Sequence, residues 1–286
     1  MKNTIRMWLL GLLTLSLLVS CEPNNNENGE NSEGQGRGKD FTETAMEMNL
    51  EMVYVEGGTF EMGTTPEQWE AFEHWHDWFA TKDWSSYIVR KVKLDSYYIG
   101  KYEITKEQWY ACMGTKPWLQ AGMEGGEGYD LPAYCINWED ASEYCALLSK
   151  KTGKKYVLPT EAQWEYAARG GKKSKGYVYS GSDNLGEVAW YNSDRAHPVG
   201  LKKTNELGIY DMSGNIEEWC LDWRDTYDET DTDNPQGPVS GTYRVMRGGS
   251  FYVNDISRYW CAVATRSSGK PGYRGSDCGF RIAMIL

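Results

Sequence analysis

Asn205-Glu206-Leu207-Gly208-Ile209-Tyr210-Asp211-Met212-Ser213-Gly214-Asn215-Ile216-Glu217-Glu218-Trp219-Cys220 is the stretch on which the reading of this chain turns. It sets glycine, asparagine and carboxylates between aromatics, a mixture that suits neither a plain helix nor a plain strand. Gly208 and Gly214 admit backbone angles closed to other residues, and Asp211 and Asn215 tolerate turn conformations. Such a segment bends tightly and turns carbonyls and carboxylates inward. Hard cations such as Ca²⁺ take that kind of oxygen set.

Outward from this hub the chain divides into a patterned half and an irregular one. Met52 to Gly63 reads as two short strands about Gly57-Gly58. Trp69, Phe72, Trp75 and Phe79 fall at helical spacing, so residues 66–86 are expected to form an aromatic-faced helix. His74 and His76 on that helix point about 200° apart and cannot chelate one ion. Val92 to Ile104 alternates like a strand. Thr105 follows as an N-cap, with Gln108 completing a capping box. Leu131 to Asn137 reads as another extended piece. Asn137 caps a helix from Trp138 to Lys151 that Gly153 ends. After a strand at Tyr156-Val157, Thr160 and Gln163 repeat the capping box, and Gly170 is the expected C′ residue of the helix they open. Beyond it helical periodicity fades into short strands and loops rich in Gly, Trp and Tyr. The order predicts an α+β domain low in regular secondary structure.

The N-terminus predicts export. Lys2 and Arg6 precede an apolar run from Met7 to Val19 that is short for a membrane-spanning helix, so residues 1–20 read as a signal peptide. Leu18-Val19-Ser20-Cys21 has the form of a bacterial lipobox, which makes Cys21 the lipidation site and the anchor to the cell envelope. Residues 21–48 form a polar tether that cannot bury a core, and residues 49–286 form the domain. The formal charge is −11, with 13 Trp and 20 Tyr. No basic patch occurs, so nucleic acid is excluded as a partner. Cys112, Cys135, Cys145, Cys220, Cys261 and Cys278 follow Cys21, an even number that permits disulfides in an exported chain without fixing their pairing.

Several segments together resemble the formylglycine-generating enzyme family, also called the sulfatase-modifying-factor family. They are Val53–Gly63, Tyr97–Thr105, Ile136–Cys145, Leu158–Gly171, Leu207–Trp223, Arg247–Phe251 and Gly279–Arg281, in family order. The resemblance implies an irregular α+β fold related to C-type-lectin-like folds. It also implies a Ca²⁺ site on the hub, with side-chain oxygens from Asp211 and Glu218 and backbone carbonyls from Gly214 and Ile216. The activity it implies is oxidation of a sulfatase cysteine to formylglycine, using O₂ and a copper ion on two cysteines. Those two positions fall here on Val253 and Arg258, and neither side chain can ligate Cu(I), which selects soft thiolates. Copper and a catalytic set are therefore not expected. Glu217, in place of the family's usual Trp, joins Ser250 and Cys261 as residues expected at the cleft. Arg247, Arg266 and Arg281 are expected to pair with buried carboxylates and staple the loops. The expected function is a calcium-stabilised binding or assembly module for a protein or glycan at the cell envelope. The alternative is a formylglycine-generating oxidase working through a displaced cysteine such as Cys261.

Overall fold

Two capping boxes of the same construction open helices that brace the sheets. A computed structural model describes residues 38–65, 89–120 and 128–286. The signal peptide, Cys21, most of the tether and the expected helix carrying His74 and His76 lie outside the described residues. Helix α1 (Lys106–Met113) begins where Thr105 Oγ1 accepts the Gln108 N–H at 3.2 Å and Gln108 Oε1 accepts the Thr105 N–H at 3.0 Å. A short turn of helix follows as α2 (Pro117–Gln120). Helix α3 (Trp138–Thr152) is capped by Asn137, which accepts the Asp140 N–H, and ends on Gly153 at φ 74°. Its buried face of Ala141, Tyr144, Cys145 and Leu148 has the i, i+3, i+4, i+7 spacing of an amphipathic helix. Helix α4 (Glu161–Ala168) repeats the box with Thr160 and Gln163, but every one of its residues is buried. A final short helix is α5 (Leu185–Val188).

The main sheet runs β1-β2-β5-β11-β6, with β1 (Phe41–Glu43), β2 (Leu50–Val55), β5 (Tyr97–Gly100), β11 (Ala283–Ile285) and β6 (Lys155–Val157), every neighbouring pair antiparallel. A separate antiparallel pair joins β3 (Gly58–Met62) to β4 (Arg90–Leu94). The segment Val92–Ile104, expected as a single strand, is thus split between two sheets at Asp95-Ser96. The Ser96 hydroxyl accepts the Gly57 N–H at 2.9 Å there. The third sheet, β10-β7-β8-β9, holds β10 (Cys278–Gly279), β7 (Glu217–Trp223), β8 (Arg244–Arg247) and β9 (Ser267–Gly269).

Two further sequence expectations are corrected. The fold begins at Phe41, not after residue 48, because β1 pairs with β2 and Phe41 packs edge-on against Tyr98 at 4.9 Å. Glu43 is fixed by Lys154 Nζ at 2.6 Å and the Tyr156 hydroxyl at 2.9 Å, partners more than a hundred residues away. Leu131–Asn137 is irregular rather than strand-like, with Cys135 held at φ 59°. The hub is half loop and half strand: its turn residues Gly208, Asp211, Gly214 and Asn215 all have positive φ, and β7 begins at Glu217.

Candidate functional site

Buried ion pairs hold the irregular half to the helices and sheets. Glu218, on β7 and fully buried, receives Arg281 through Nε and Nη2, each at 2.6 Å, and the Trp164 indole N–H at 2.7 Å. The remaining donors of Arg281 reach the carbonyls of Gly100 and Tyr210 at 3.0 Å. A second staple uses α4. Glu161 and Glu165, one turn apart, meet Arg247 at 2.9 and 2.5 Å, and Glu161 also takes Arg266 at 2.5 Å. Burial pushes the Glu161 carboxyl up, but the Arg266 and Arg247 guanidiniums outweigh burial and hold it down at about 2. The arginines expected as structural staples occupy that role, with every charge matched by charge-assisted hydrogen bonds.

Both side chains read as calcium donors have protein partners in this structure. Both oxygens of Glu218 are committed to Arg281, so a cation there would have to break a buried ion pair. Asp211 Oδ2 accepts the Gly200 N–H at 2.7 Å, while its Oδ1 is buried without a hydrogen-bond partner. The N–H groups of Gly214 and Ile216 donate to the Gly248 carbonyl at 2.8 Å and to Glu103 at 3.1 Å, bonds that do not engage the carbonyls expected as donors. Burial pushes the Asp211 carboxyl up to about 6, against the pull of the Gly200 N–H and Arg281. Glu103 is also raised, by burial and by the charges of Asp211 and Glu218. Among the described residues no group of three or more His, Cys, Asp or Glu is placed to hold a metal. Arg281 is the cation paired with Glu218 in this structure.

The second feature is the cleft that follows β8. Gly248 and Gly249, at φ 96° and 65°, turn the chain so that Ser250 Oγ donates to Asp277 Oδ2 at 2.6 Å. A side chain on Gly249 would meet the Trp260 carbonyl at 2.8 Å, which explains the glycine. Glu217 faces Cys278 in parallel register, and its N–H donates to the Asp277 carbonyl at 2.7 Å. Burial, followed by the Asp277 charge, pushes the Glu217 carboxyl up to about 7. Cys261 and Cys278 are fully buried, and burial pushes both thiols up, with Glu217 adding to it. Thiolate is the nucleophile and the metal ligand, so both sulfurs are poorly set for either role.

The two positions implied for copper hold other chemistry. Val253 packs into an apolar cluster with Tyr179, Leu185, Val188, Tyr259 and Cys261. Arg258 opens a 3-10 turn that ends on Cys261. All six cysteines beyond Cys21 carry free thiols. Tyr252, Ile256 and Tyr273 are exposed by 54, 74 and 51%, and the Ser276 hydroxyl reaches the Tyr252 hydroxyl at 3.5 Å. Ser250 and Glu217 both bond to Asp277, one to its carboxylate and the other to its carbonyl, and the Glu217 charge is close enough to Cys261 to raise its thiol. Asp277, which binds two parts of this site, was invisible in the sequence. It belongs to no motif, and only the two-residue pairing of β10 with β7 brings it there. Glu103 and Glu165 lie inside segments the sequence singled out, but their partners Asn215 and Arg247 are 112 and 82 residues away and so could not be read from it.

The Sulfatase-modifying factor enzyme 1-like domain matches residues 38–286. The chain is 34% identical over 254 residues to "Chaperone protein LppX" of Paenibacillus barcinonensis, covering 70% of this chain and 78% of that one. It is 36% identical over 173 residues to the formylglycine-generating enzyme of Streptomyces coelicolor, covering 53% of this chain and about half, 52%, of that enzyme. Its fold is similar to that of Treponema denticola variable protein 1, with a TM-score of 0.72 and 29% identity, covering 86% of this chain and 98% of that one.

Proposed function

The chain belongs to the sulfatase-modifying factor enzyme 1-like family, and from that membership we propose a binding or assembly module that keeps the family scaffold without the cysteine oxidase. The observation that carries this reading is the pair Val253 and Arg258. One is packed into an apolar cluster and the other is cationic, so neither can supply a soft ligand to Cu(I). Cys261 and Cys278 offer no substitute, because both thiols are buried and held protonated. The rim supports the binding half of the proposal. Tyr252 and Tyr273 are large and exposed, Tyr252 meets Ser276 and Tyr273 lies beside Cys278, and exposed aromatics of this kind suit a protein or glycan partner. The lipobox form of Leu18-Val19-Ser20-Cys21 and the polar stretch after it support a position at the cell envelope. Its rigidity comes from the staples of Arg247, Arg266 and Arg281.

Titration with Cu(I) against a chromophoric chelator tests the proposal. The native chain is expected to hold no stoichiometric copper, and the double variant Val253→Cys with Arg258→Cys to gain it. Copper uptake by the native chain that disappears in Cys261→Ser would reject the proposal. It would favour the alternative, a formylglycine-generating oxidase acting on a sulfatase cysteine.

A further inference from the structure

A cavity of about 420 Å³ lies at the far end of β7 from the cleft, where Asp222 and Trp223 close the strand. Glu217 and Trp223 bound the same seven-residue strand, so at about 3.3 Å per residue the two places are roughly 20 Å apart. The cavity volume falls in the range of small-molecule sites, about 300–1,000 Å³.

The lining selects the ligand by exclusion. Its charged groups are the carboxylates of Glu161, Asp222, Asp225, Asp228 and Asp231 against the guanidiniums of Arg90 and Arg266. Glu161 and Arg266 satisfy one another at 2.5 and 2.6 Å, which leaves carboxylates in excess. An anionic ligand would be repelled. Flat aromatic ligands fare no better, because the aromatic rings are already covered. Tyr227 carries Arg266 at 3.9 Å and Arg90 at 4.4 Å, and Trp223 carries Arg244 at 3.5 Å.

Two groups ask for opposite partners. Arg90 is more than nine-tenths buried. Its Nη1 is taken by the Asp228 and Asp231 carbonyls at 2.8 and 3.2 Å, yet its Nε is buried with no acceptor. That Nε–H needs an oxygen acceptor. Asp222, 4% exposed, accepts the Glu161 N–H at 2.8 Å through Oδ2, and its Oδ1 lies beside Gly237, another residue of the lining. Asp225 Oδ1 accepts the Thr226 N–H at 2.7 Å, and both carboxylates keep capacity for further donors. A simple cation would serve the carboxylates and leave Arg90 Nε unmatched. A hydroxyl group both donates and accepts, and so suits both.

We propose that this cavity is a second binding site, for a small neutral polyhydroxyl ligand of monosaccharide size, held between Arg90 Nε and the carboxylates of Asp222 and Asp225. The site is independent of the cleft and does not rest on the absence of oxidase chemistry.

Saturation-transfer NMR and calorimetry on the full chain test it, with glucose, galactose, mannose and N-acetylglucosamine as probes and gluconate, spermidine and adenosine as contrasts. At least one neutral sugar is expected to bind, with the contrasts absent or weaker. Asp225→Asn and Arg90→Lys are each expected to weaken it about tenfold or more, the loss of a hydrogen bond to a charged group. Asp225 is exposed, so its variant keeps the test valid even where Arg90→Lys fails to fold. Failure of all four sugars to bind, sugar binding untouched by Asp225→Asn, or binding of spermidine alone would overturn the proposal.

Discussion

The hub and the cleft lie against the same strand, and they carry opposite kinds of carboxylate. At Glu218 a buried acid is clasped by Arg281 and a tryptophan N–H, with every acceptor used. At Glu217, the preceding residue, burial and a neighbouring Asp277 push the carboxyl up to about 7, and among the described residues no arginine pairs with it. One position serves stability and the other faces a cleft. Strand alternation places them on opposite faces. A family scaffold can therefore stay intact while the chemistry beside it drifts, because the staples do not pass through the cleft residues.

The contrast is broken most severely at Arg281. Arg281→Gln strands Glu218 as an uncompensated buried charge and is expected to cost about 3–5 kcal/mol, read as a large fall in Tm or loss of folding. A change below about 1 kcal/mol would mean that Glu218 has another counter-charge.

Glu161 gives the pH form of the same contrast. Its carboxyl is held down at about 2 from an ordinary 4.5, so its stabilisation is present above about pH 4.5 and is lost as pH falls towards 2. Denaturation at pH 7 should find Glu161→Gln destabilised by about 3 kcal/mol, with a flatter acid limb than the native chain. Parallel acid limbs in the two proteins would remove Glu161 from the account.

Gly214→Ala sharpens the hub itself. Gly214 sits at φ 78°, and an added Cβ would lie 2.4 Å from the Trp190 carbonyl, so a loss of more than about 1 kcal/mol is expected by urea unfolding. Equal midpoints would show that the loop moves freely. The smallest effect belongs to chelation. With Arg281 on Glu218, removing Ca²⁺ should leave Tm unchanged, whereas a chelator-dependent fall that Asp211→Ala abolishes would restore calcium to the hub.

What the sequence disclosed was local. The boxes at Thr105 and Thr160, the Asn137 cap and the glycine stops depend on residues within four positions, and each formed as read. The turn at Asp211–Asn215 was legible because positive φ favours those residue types. Long-range partners left no such signal. Phe41–Glu43 is too short to show a period, and Tyr98, Lys154 and Tyr156 fix it from afar. Asp277 entered the cleft through a two-residue pairing. Arg281 was expected as a staple, but that it would occupy Glu218 depended on the fold bringing together residues 63 positions apart.

The central claim is that the scaffold survives without the oxidase. Incubating the full chain with a sulfatase peptide that carries the target cysteine, Cu(I) and O₂, and following the cysteine by mass spectrometry, tests it most directly. The account predicts an unaltered cysteine. Conversion to formylglycine that depends on the protein would contradict it.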